Sequence, residues 1–170
     1  MYKLAAWKIL TKPMATAARQ PLNPDHEAVP SGKGRRFALV VSEWNAEITE
    51  NLFHGAQKVL LVKGVSSTSI HRIDVPGSFE LVFGAKKAIE MGVDAVIVIG
   101  SVIQGETRHF DFVCQGVTQG IQQLNVLHDT PVIFCVLTDN NRQQALDRSG
   151  GRLGNKGEEA AIAALKMAVL

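Results

Sequence analysis

The strongest candidate for a chemically active residue in this 170-residue chain is His109, which lies in a polar loop. The apolar segment AVIVIG, residues 95–100, leads into SVIQGETR and then His109, after which the sequence turns apolar again as FDFV. A neutral imidazole can both accept and donate a proton near physiological pH. If His109 begins a helix, the positive end of the helix dipole disfavours the imidazolium and keeps the ring available as a base. A lone histidine can equally be a surface or capping residue, so both interpretations stay open at this point.

Two cations near the carboxyl end of the chain could bind an anion. Arg148 precedes a pair of glycines, and Lys156 lies in the segment GNKG. The planar guanidinium fork suits a phosphate, and glycines let the backbone approach it. The step from Asn155 to Gly157 into a new helix also offers free backbone N–H groups. Alternatively, the cations only complement the dipole at a helix carboxyl end.

Aromatic and acidic side chains could recognise a planar, hydroxylated ligand. Trp44 follows the first apolar run, where it could either join the core or stack on a heterocycle, and Phe134 is a second candidate for stacking. Glu80, in PGSFE, could interact with a helix dipole or accept hydrogen bonds from hydroxyl groups. Together with His109 and Arg148, these residues predict a planar ring and a phosphorylated small molecule as ligands.

Alternating strands and helices must position these residues. The segments FALVVSEW, DAVIVIGSVI and PVIFCVLT, which are mainly apolar, and the β-branched stretch SIHRIDV predict strands. The segments between them carry apolar residues at helical spacing. This order predicts a three-layer α/β/α fold with a four-stranded parallel sheet of flavodoxin-like type. Ligands of such sheets bind beyond the carboxyl ends of the strands. We therefore expect the segments SEWN, PGSFE, GSVIQGETRH and LTDNN to meet at one edge.

Composition favours one globular domain preceded by an arm. Residues 36–170 carry the regular pattern, whereas residues 1–35 show no period and are predicted to form a flexible arm. The net charge of +2 and the scattered basic residues do not predict nucleic-acid binding, and no stretch is apolar enough to predict a membrane span. Cys114 and Cys135 lack C-x-x-C spacing. We expect them to be reduced thiols of a cytoplasmic protein.

Motifs for several other chemistries are missing from the sequence. GKGRRF contains G-x-G but precedes a strand, whereas a dinucleotide-binding loop must follow one, and GGRLGNKG lacks the spacing of a P-loop. The histidines are not spaced as zinc ligands, and no G-x-S-x-G elbow occurs. We therefore expect no metal, and we do not expect hydride transfer, nucleotide hydrolysis or triad hydrolysis.

Four motifs, in their order and spacing, resemble those of the lumazine synthase family. They are PGSFE, GSVIQGETRHFDFV, PVIFCVLT, and RSGG followed by GNKG, and the resemblance runs from about Arg36 to Leu170. It implies condensation of 5-amino-6-(D-ribitylamino)uracil with 3,4-dihydroxy-2-butanone 4-phosphate to 6,7-dimethyl-8-ribityllumazine. Phosphate and water leave, no cofactor takes part, and the reaction is the penultimate step of riboflavin biosynthesis.

The resemblance also implies roles for individual residues. Trp44 corresponds to an aromatic that stacks on the pyrimidine, His109 to a proton shuttle and Arg148 to a phosphate ligand. Phe134 corresponds to a substrate contact from the adjoining subunit. The other matching positions are Ser78, Phe79 and Glu80 for the pyrimidine and ribityl chain, Ser101, Val102 and Ile103 for the pyrimidine, Glu106 and Thr107 for the butanone phosphate, and Lys156 and Glu159 nearby. Many members carry phenylalanine at the position of Trp44 and a small residue at that of Glu106.

The family assembles into pentamers with sites shared between neighbours, and some members build sixty-subunit icosahedral shells. The short, glycine-rich linker RSGGRLGNKG resembles that of shell formers, so the resemblance implies a shell here. Two other functions remain as alternatives: a catalytically idle flavin or lumazine binder, and a cage whose assembly is its function. Intact His109 and Arg148 disfavour the idle binder, which would need no phosphate ligand.

Overall fold

A computed structural model describes residues 29–170 of the chain, and a parallel sheet lies at its centre. The sheet has four strands in the order β2-β1-β3-β4, all parallel to their neighbours. The strands are β1 (Phe37–Ser42), β2 (Ile70–Val75), β3 (Ala95–Ile103) and β4 (Val132–Asp139). The predicted three-layer α/β/α fold with a four-stranded parallel sheet is therefore confirmed.

Helices cover both faces of the sheet, which is why its two central strands, β1 and β3, are continuous apolar runs. All six residues of β1 are buried, and β3 is buried from Ala95 to Ser101. Leu39 and Ile97 point into one core, and Val40 and Val98 point into the other. A parallel strand covered on both faces cannot alternate polar and apolar residues. The apolar runs therefore predicted these strands well.

The helices divide between the two faces. Those of the first face pack around Leu39 and Ile97, and those of the second around Val40 and Val98. The first face carries α1 (Ala46–Val62), α4 (Arg142–Arg148) and α5 (Lys156–Met167), and the second carries α2 (Leu81–Glu90) and α3 (His109–Leu127). Short 3₁₀ turns cover Ser67–Ser69 and Ser78–Glu80. Gly64 and Gly92 follow α1 and α2 with φ of 87° and 70°, as expected for glycines at helix carboxyl ends.

A small antiparallel hairpin forms in the linker before α5, where the sequence pattern predicts no strand. Its strands are β5 (Ser149–Gly151) and β6 (Gly154–Asn155). The Asn155 side chain accepts a hydrogen bond from the N–H of Gly157 at 2.8 Å, which caps α5. The same side chain donates to the carbonyl of Asn51 at 2.8 Å. One residue therefore joins the hairpin, α5 and α1.

The packed part of the chain begins before the predicted boundary at residue 36. Val29 is buried in the core around Leu39, and the N–H of Gly32 donates to the carbonyl of Lys63 at 2.9 Å. Arg35 donates from Nη1 to the carbonyl of Ala168 at 2.5 Å. These contacts attach residues 29–35 to the domain. Residues 1–28 of the predicted arm lie outside the described residues.

Both thiols of the chain are unpaired. Cys135 on β4 is buried, and its burial raises the pKa of its thiol to about 12. Cys114 on α3 is partly exposed, and desolvation together with nearby Asp111 raises its pKa.

Within residues 29–170, no helix has the length and apolar character to span a bilayer.

Candidate active site

A cavity of about 710 Å³ opens at the carboxyl ends of β1 and β3. The strand order changes direction there, because the chain places β2 on one side of β1 and β3 on the other. Doubly wound sheets bind their ligands at this point. This first cavity is lined by His109, by Thr107 of the predicted phosphate loop, and by the predicted pyrimidine and ribityl residues Trp44, Ser78, Phe79, Glu80, Ser101, Val102 and Ile103.

Asn45 holds the loop after β1 against β3. It adopts the left-handed conformation, with φ 61° and ψ 44°, which asparagine tolerates better than most side chains. Its Nδ2 donates to the carbonyl of Ser101 at 2.9 Å. Asn45 is not among the residues predicted from the sequence, although an asparagine directly after a strand is a signal for such a turn.

Trp44 precedes this turn and lies at the mouth of the first cavity. Its exposed fraction is 70%, so in this chain the indole lies outside the core. Of the two alternatives for Trp44, the structure excludes core packing. It leaves the ring accessible for stacking. Phe79 and Phe112 line the same cavity and are also exposed.

Buried hydroxyl groups lie at the inner end of the first cavity. Ser78 and Ser101 line it, both are buried, and neither Oγ has a partner within residues 29–170. Ser78 begins a 3₁₀ turn, and its side chain makes no capping bond. A Cβ at Gly100 would lie 2.7 Å from Ser78 Oγ, so the glycine makes room for this hydroxyl. Buried hydroxyls are suited to bind the polar edge of a ligand.

His109 is the first residue of α3 and is exposed at the rim of the first cavity. Its backbone N–H lies 3.4 Å from Oγ1 of Thr107, which stabilises the turn into the helix. Gly105 and Thr107 also line the cavity. The exposed Glu106 lines neither this cavity nor the second one, described next. The loop therefore points alternate residues at the site.

A second cavity of about 850 Å³ lies along β4, between α4, the hairpin and α5. Phe134, Arg148 and Lys156 line it, together with Asp139 and Glu159. No residue lines both the first and the second cavity. The expected phosphate ligand Arg148, with Lys156 beside it, therefore lines a different cavity from His109 within a single chain.

All four strand-end segments lie at the carboxyl edge of the parallel sheet, as expected, but within a single chain they divide between two cavities. SEWN, PGSFE and GSVIQGETRH contribute to the first cavity, whereas LTDNN contributes to the second. The reason lies in the layers: β4 is an edge strand, and the chain continues from it into α4, on the face opposite α3. Sequence order alone does not predict on which face α4 packs.

Ion pairs organise the second cavity. Arg148 donates from Nη1 to the carbonyl of Gln144 at 2.9 Å, and the same nitrogen lies 3.5 Å from Oδ1 of Asp139. Lys156 Nζ contacts both carboxylate oxygens of Glu159, at 2.7 and 2.9 Å. Burial raises the pKa of Asp139, and the charge of Arg148 opposes that effect. Asp139 is a further residue not predicted from the sequence, where its only signal is a charge at a strand end.

The two cavities suit different ligands. The first combines accessible aromatic rings, buried hydroxyls and an imidazole, which fits a planar heterocycle that undergoes proton transfer. The second combines a guanidinium and an ammonium group on rigid elements, which fits a phosphate.

Comparison with known proteins places this architecture in one family. Residues 34–170 match the model of the family described as 6,7-dimethyl-8-ribityllumazine synthase. The protein of that name from Flavobacterium johnsoniae is 61% identical over 158 residues, which cover 92% of this chain and 83% of the relative. The proteins of that name from Christiangramia forsetii and Porphyromonas gingivalis are 58% and 53% identical, each over 92% of this chain and over 95% and 98% of their own. The chain therefore belongs to the 6,7-dimethyl-8-ribityllumazine synthase family.

Proposed function

We propose that this chain condenses 5-amino-6-(D-ribitylamino)uracil with 3,4-dihydroxy-2-butanone 4-phosphate to give 6,7-dimethyl-8-ribityllumazine, phosphate and water. One observation carries the proposal: this member of the family has one cavity that suits a planar ring and a second cavity that suits an anion. The first would bind the uracil, and the second would bind the phosphorylated ketone.

The uracil would lie in the first cavity. The accessible indole of Trp44 would stack on the pyrimidine, and the buried hydroxyls of Ser78 and Ser101 are placed to bind its polar edge. Glu80 is exposed on the same wall, where its carboxylate can accept hydrogen bonds from the ribityl hydroxyls. Phe79, Val102 and Ile103 supply the apolar surface around the ring.

The phosphate would bind at Arg148, with Lys156 beside it. Nε and Nη2 of Arg148 make no hydrogen bond to any other residue of the described part, so they remain available for two parallel bonds to phosphate oxygens. The backbone around Gly105 and Thr107, just before α3, would approach the phosphate from the first cavity.

The chemistry then requires close approach and proton transfer. Holding the aromatic amine beside the ketone converts an encounter of two molecules into a local reaction. The amine adds to the carbonyl and one water leaves as an imine forms. Phosphate is then eliminated, and the resulting enol tautomerises to a new carbonyl. The second amine adds to that carbonyl, and a second water leaves as the ring closes. His109 would carry protons between these steps, and Arg148 would stabilise the charge of the departing phosphate. The proposed reaction needs no cofactor.

We propose that each complete site is shared between two subunits. The first cavity holds His109 and the second holds Arg148, so a neighbour that brings its second cavity to the first would join the two. Phe79, Phe83 and Phe112 are 58–64% exposed on the face of α2 and α3 and offer apolar area for such a contact. A head-to-tail contact of this kind closes into a ring, and the family resemblance supports a pentamer.

We further propose that the pentamers assemble into a sixty-subunit shell. The support is the short linker, which folds as the tight β5–β6 hairpin and is attached to α1 through Asn155. Light scattering separates the states, because five copies of the 18.4 kDa chain weigh about 92 kDa and sixty weigh about 1,100 kDa. A mass near 92 kDa would contradict the shell, and a monomeric mass would contradict the shared site as well.

Two unpaired thiols support a cytoplasmic location.

The direct test is to incubate the purified protein with both substrates and follow the fluorescence of the lumazine. Product formation above the uncatalysed rate is expected. Binding of the lumazine or of a flavin without turnover would instead favour the idle binder. Assembly into a cage with neither binding nor turnover would favour the scaffold.

A further inference from the structure

Asp139 is a buried carboxylate beside the proposed phosphate ligand. Its exposed fraction is 5%, and its Oδ1 lies 3.5 Å from Nη1 of Arg148. Its Oδ2 has no hydrogen-bond partner among residues 29–170. A buried ion pair contributes little net stability, because removing both charges from water opposes their attraction. The pair is therefore better explained by what it does to Arg148.

The contacts of Arg148 are confined to one nitrogen. Nη1 donates to the carbonyl of Gln144 at 2.9 Å and faces Asp139 Oδ1. Nε and Nη2 make no hydrogen bond to any other residue in the described part of the chain. These two nitrogens form the other edge of the planar guanidinium, and two parallel N–H groups along one edge are the arrangement that binds phosphate oxygens.

Asp139 itself is held rigidly. It is the last residue of β4, and its carbonyl accepts a hydrogen bond from the N–H of Gln104 at 2.9 Å. Gln104 begins the loop that leads to Thr107 and His109. The backbone that carries this short, buried side chain is therefore fixed by the sheet, whereas Arg148 is a long side chain at the end of a short helix.

We propose that Asp139 is a positioning residue: together with the carbonyl of Gln144 it holds Nη1 of Arg148, so that the Nε–Nη2 edge faces the phosphate of the butanone substrate. The inference rests on the proposed function, and it assigns to Asp139 no contact with substrate. Its effect passes through Arg148.

Steady-state kinetics of Asp139→Ala and Asp139→Asn test this role. The alanine variant lacks the side-chain oxygen that faces Nη1, so we expect the KM for the butanone phosphate to rise about tenfold and the KM for the ribitylaminouracil to stay within about twofold. The asparagine variant keeps an oxygen at the same place and should remain within about threefold of the parent. Asp94→Ala, which removes a carboxylate paired with Arg35 before β3, is the matched control and should change neither constant.

A double-mutant cycle shows whether Asp139 acts through Arg148. Adding Asp139→Ala to Arg148→Ala should leave the KM for the butanone phosphate where Arg148→Ala alone put it. An additive rise would overturn the proposal, and so would an equal rise of both KM values in Asp139→Ala or an asparagine variant as impaired as the alanine variant. If Asp139→Ala does not fold, Asp139→Leu fills the same space without an acceptor and takes its place in the cycle.

Calorimetry with inorganic phosphate keeps this test separate from the proposed function. If the parent protein makes no lumazine, the proposed function fails, yet phosphate binding to the intact oligomer still reports on Arg148. We expect Asp139→Ala to weaken phosphate binding about tenfold and Asp139→Asn to leave it within about threefold. Unchanged binding in Asp139→Ala would overturn the positioning role even if turnover is normal in the parent.

Discussion

His109 and Arg148 lie in different cavities of the same chain, on the two sides of the edge strand β4. His109 begins α3, which packs on one face of the sheet, and Arg148 ends α4, which packs on the other. The groups proposed for proton transfer and for phosphate binding therefore lie on elements that pack on opposite faces of the sheet. Contact between two chains would bring a first cavity and a second cavity together.

Mixed oligomers should therefore regain activity that neither parent variant has. A site with both groups intact forms where the first cavity of an Arg148→Ala subunit meets the second cavity of a His109→Ala subunit. With random mixing this holds for about one quarter of the sites. We expect co-expressed variants to recover roughly that fraction of activity, measured on purified mixed oligomers. Mass spectrometry of the intact oligomer is the control for mixing, and mixed oligomers without recovery would contradict the shared site.

His109→Ala should slow turnover without weakening binding of the uracil. A positioned general acid–base group contributes about 10²-fold or more to a rate. We expect kcat to fall by at least about 10²-fold and the KM for the ribitylaminouracil to stay within about threefold. His128→Ala is the matched control, because His128 follows the carboxyl end of the same helix and is exposed. A parallel loss of uracil affinity in His109→Ala would indicate a structural role instead.

Trp44→Ala should weaken binding of the uracil and leave stability unchanged. The ring is exposed in the chain, so its removal creates no core cavity, whereas loss of stacking costs about 1 kcal/mol, or roughly a fivefold to tenfold rise in KM. Trp44→Phe keeps an aromatic face and should stay within about threefold. The KM is measured by titration of the uracil, with melting temperature as the control. A lowered melting temperature without a change in KM would assign Trp44 to packing.

Cys135 should make the protein less stable at alkaline pH. Its folded-state pKa is raised to about 12 from an ordinary value of 9.0, so above pH 9 the unfolded chain loses a proton that the folded chain keeps. Its contribution is therefore complete below pH 9 and declines as the pH rises toward 12. Relative to Cys135→Ala, the free energy of unfolding should fall by ~1.4 kcal/mol per pH unit in that window. Denaturant unfolding of both proteins at several pH values measures the difference, and parallel pH profiles would rule out the effect.

Gly157→Ala should destabilise the fold through packing. A Cβ at this position would lie 1.9 Å from the carbonyl oxygen of Leu52, so α5 could no longer approach α1 closely. We expect a loss of about 2 kcal/mol or more in the free energy of unfolding. Gly105→Ala is the matched control for stability, because a Cβ there would meet no atom within 4 Å beyond its own chain neighbours. Equal stability of both variants would refute the packing requirement at Gly157.

Much of the fold is legible in the sequence because parallel strands impose a strong pattern. The runs of β1 and β3 are continuous and apolar since helices cover both faces, and Gly64 and Gly92 end their helices in the left-handed conformation. The sequence pattern does not predict the hairpin before α5, because its strands are short and contain glycines. The close approach of Ser78 Oγ to Gly100 depends on two segments that are distant in the sequence, so no local pattern predicts it.

The sequence by itself determined the parallel α/β architecture, the family resemblance and the strand-end residues that could do chemistry. Those features depend on local periodicity and on motifs, which do not require knowledge of distant contacts. Only the tertiary structure decided that His109 and Arg148 face different cavities, and that Asp139 and Gln144 hold one nitrogen of Arg148. The reason is physical: which face a helix covers, and which buried charge meets which, are set by the packing of the whole chain.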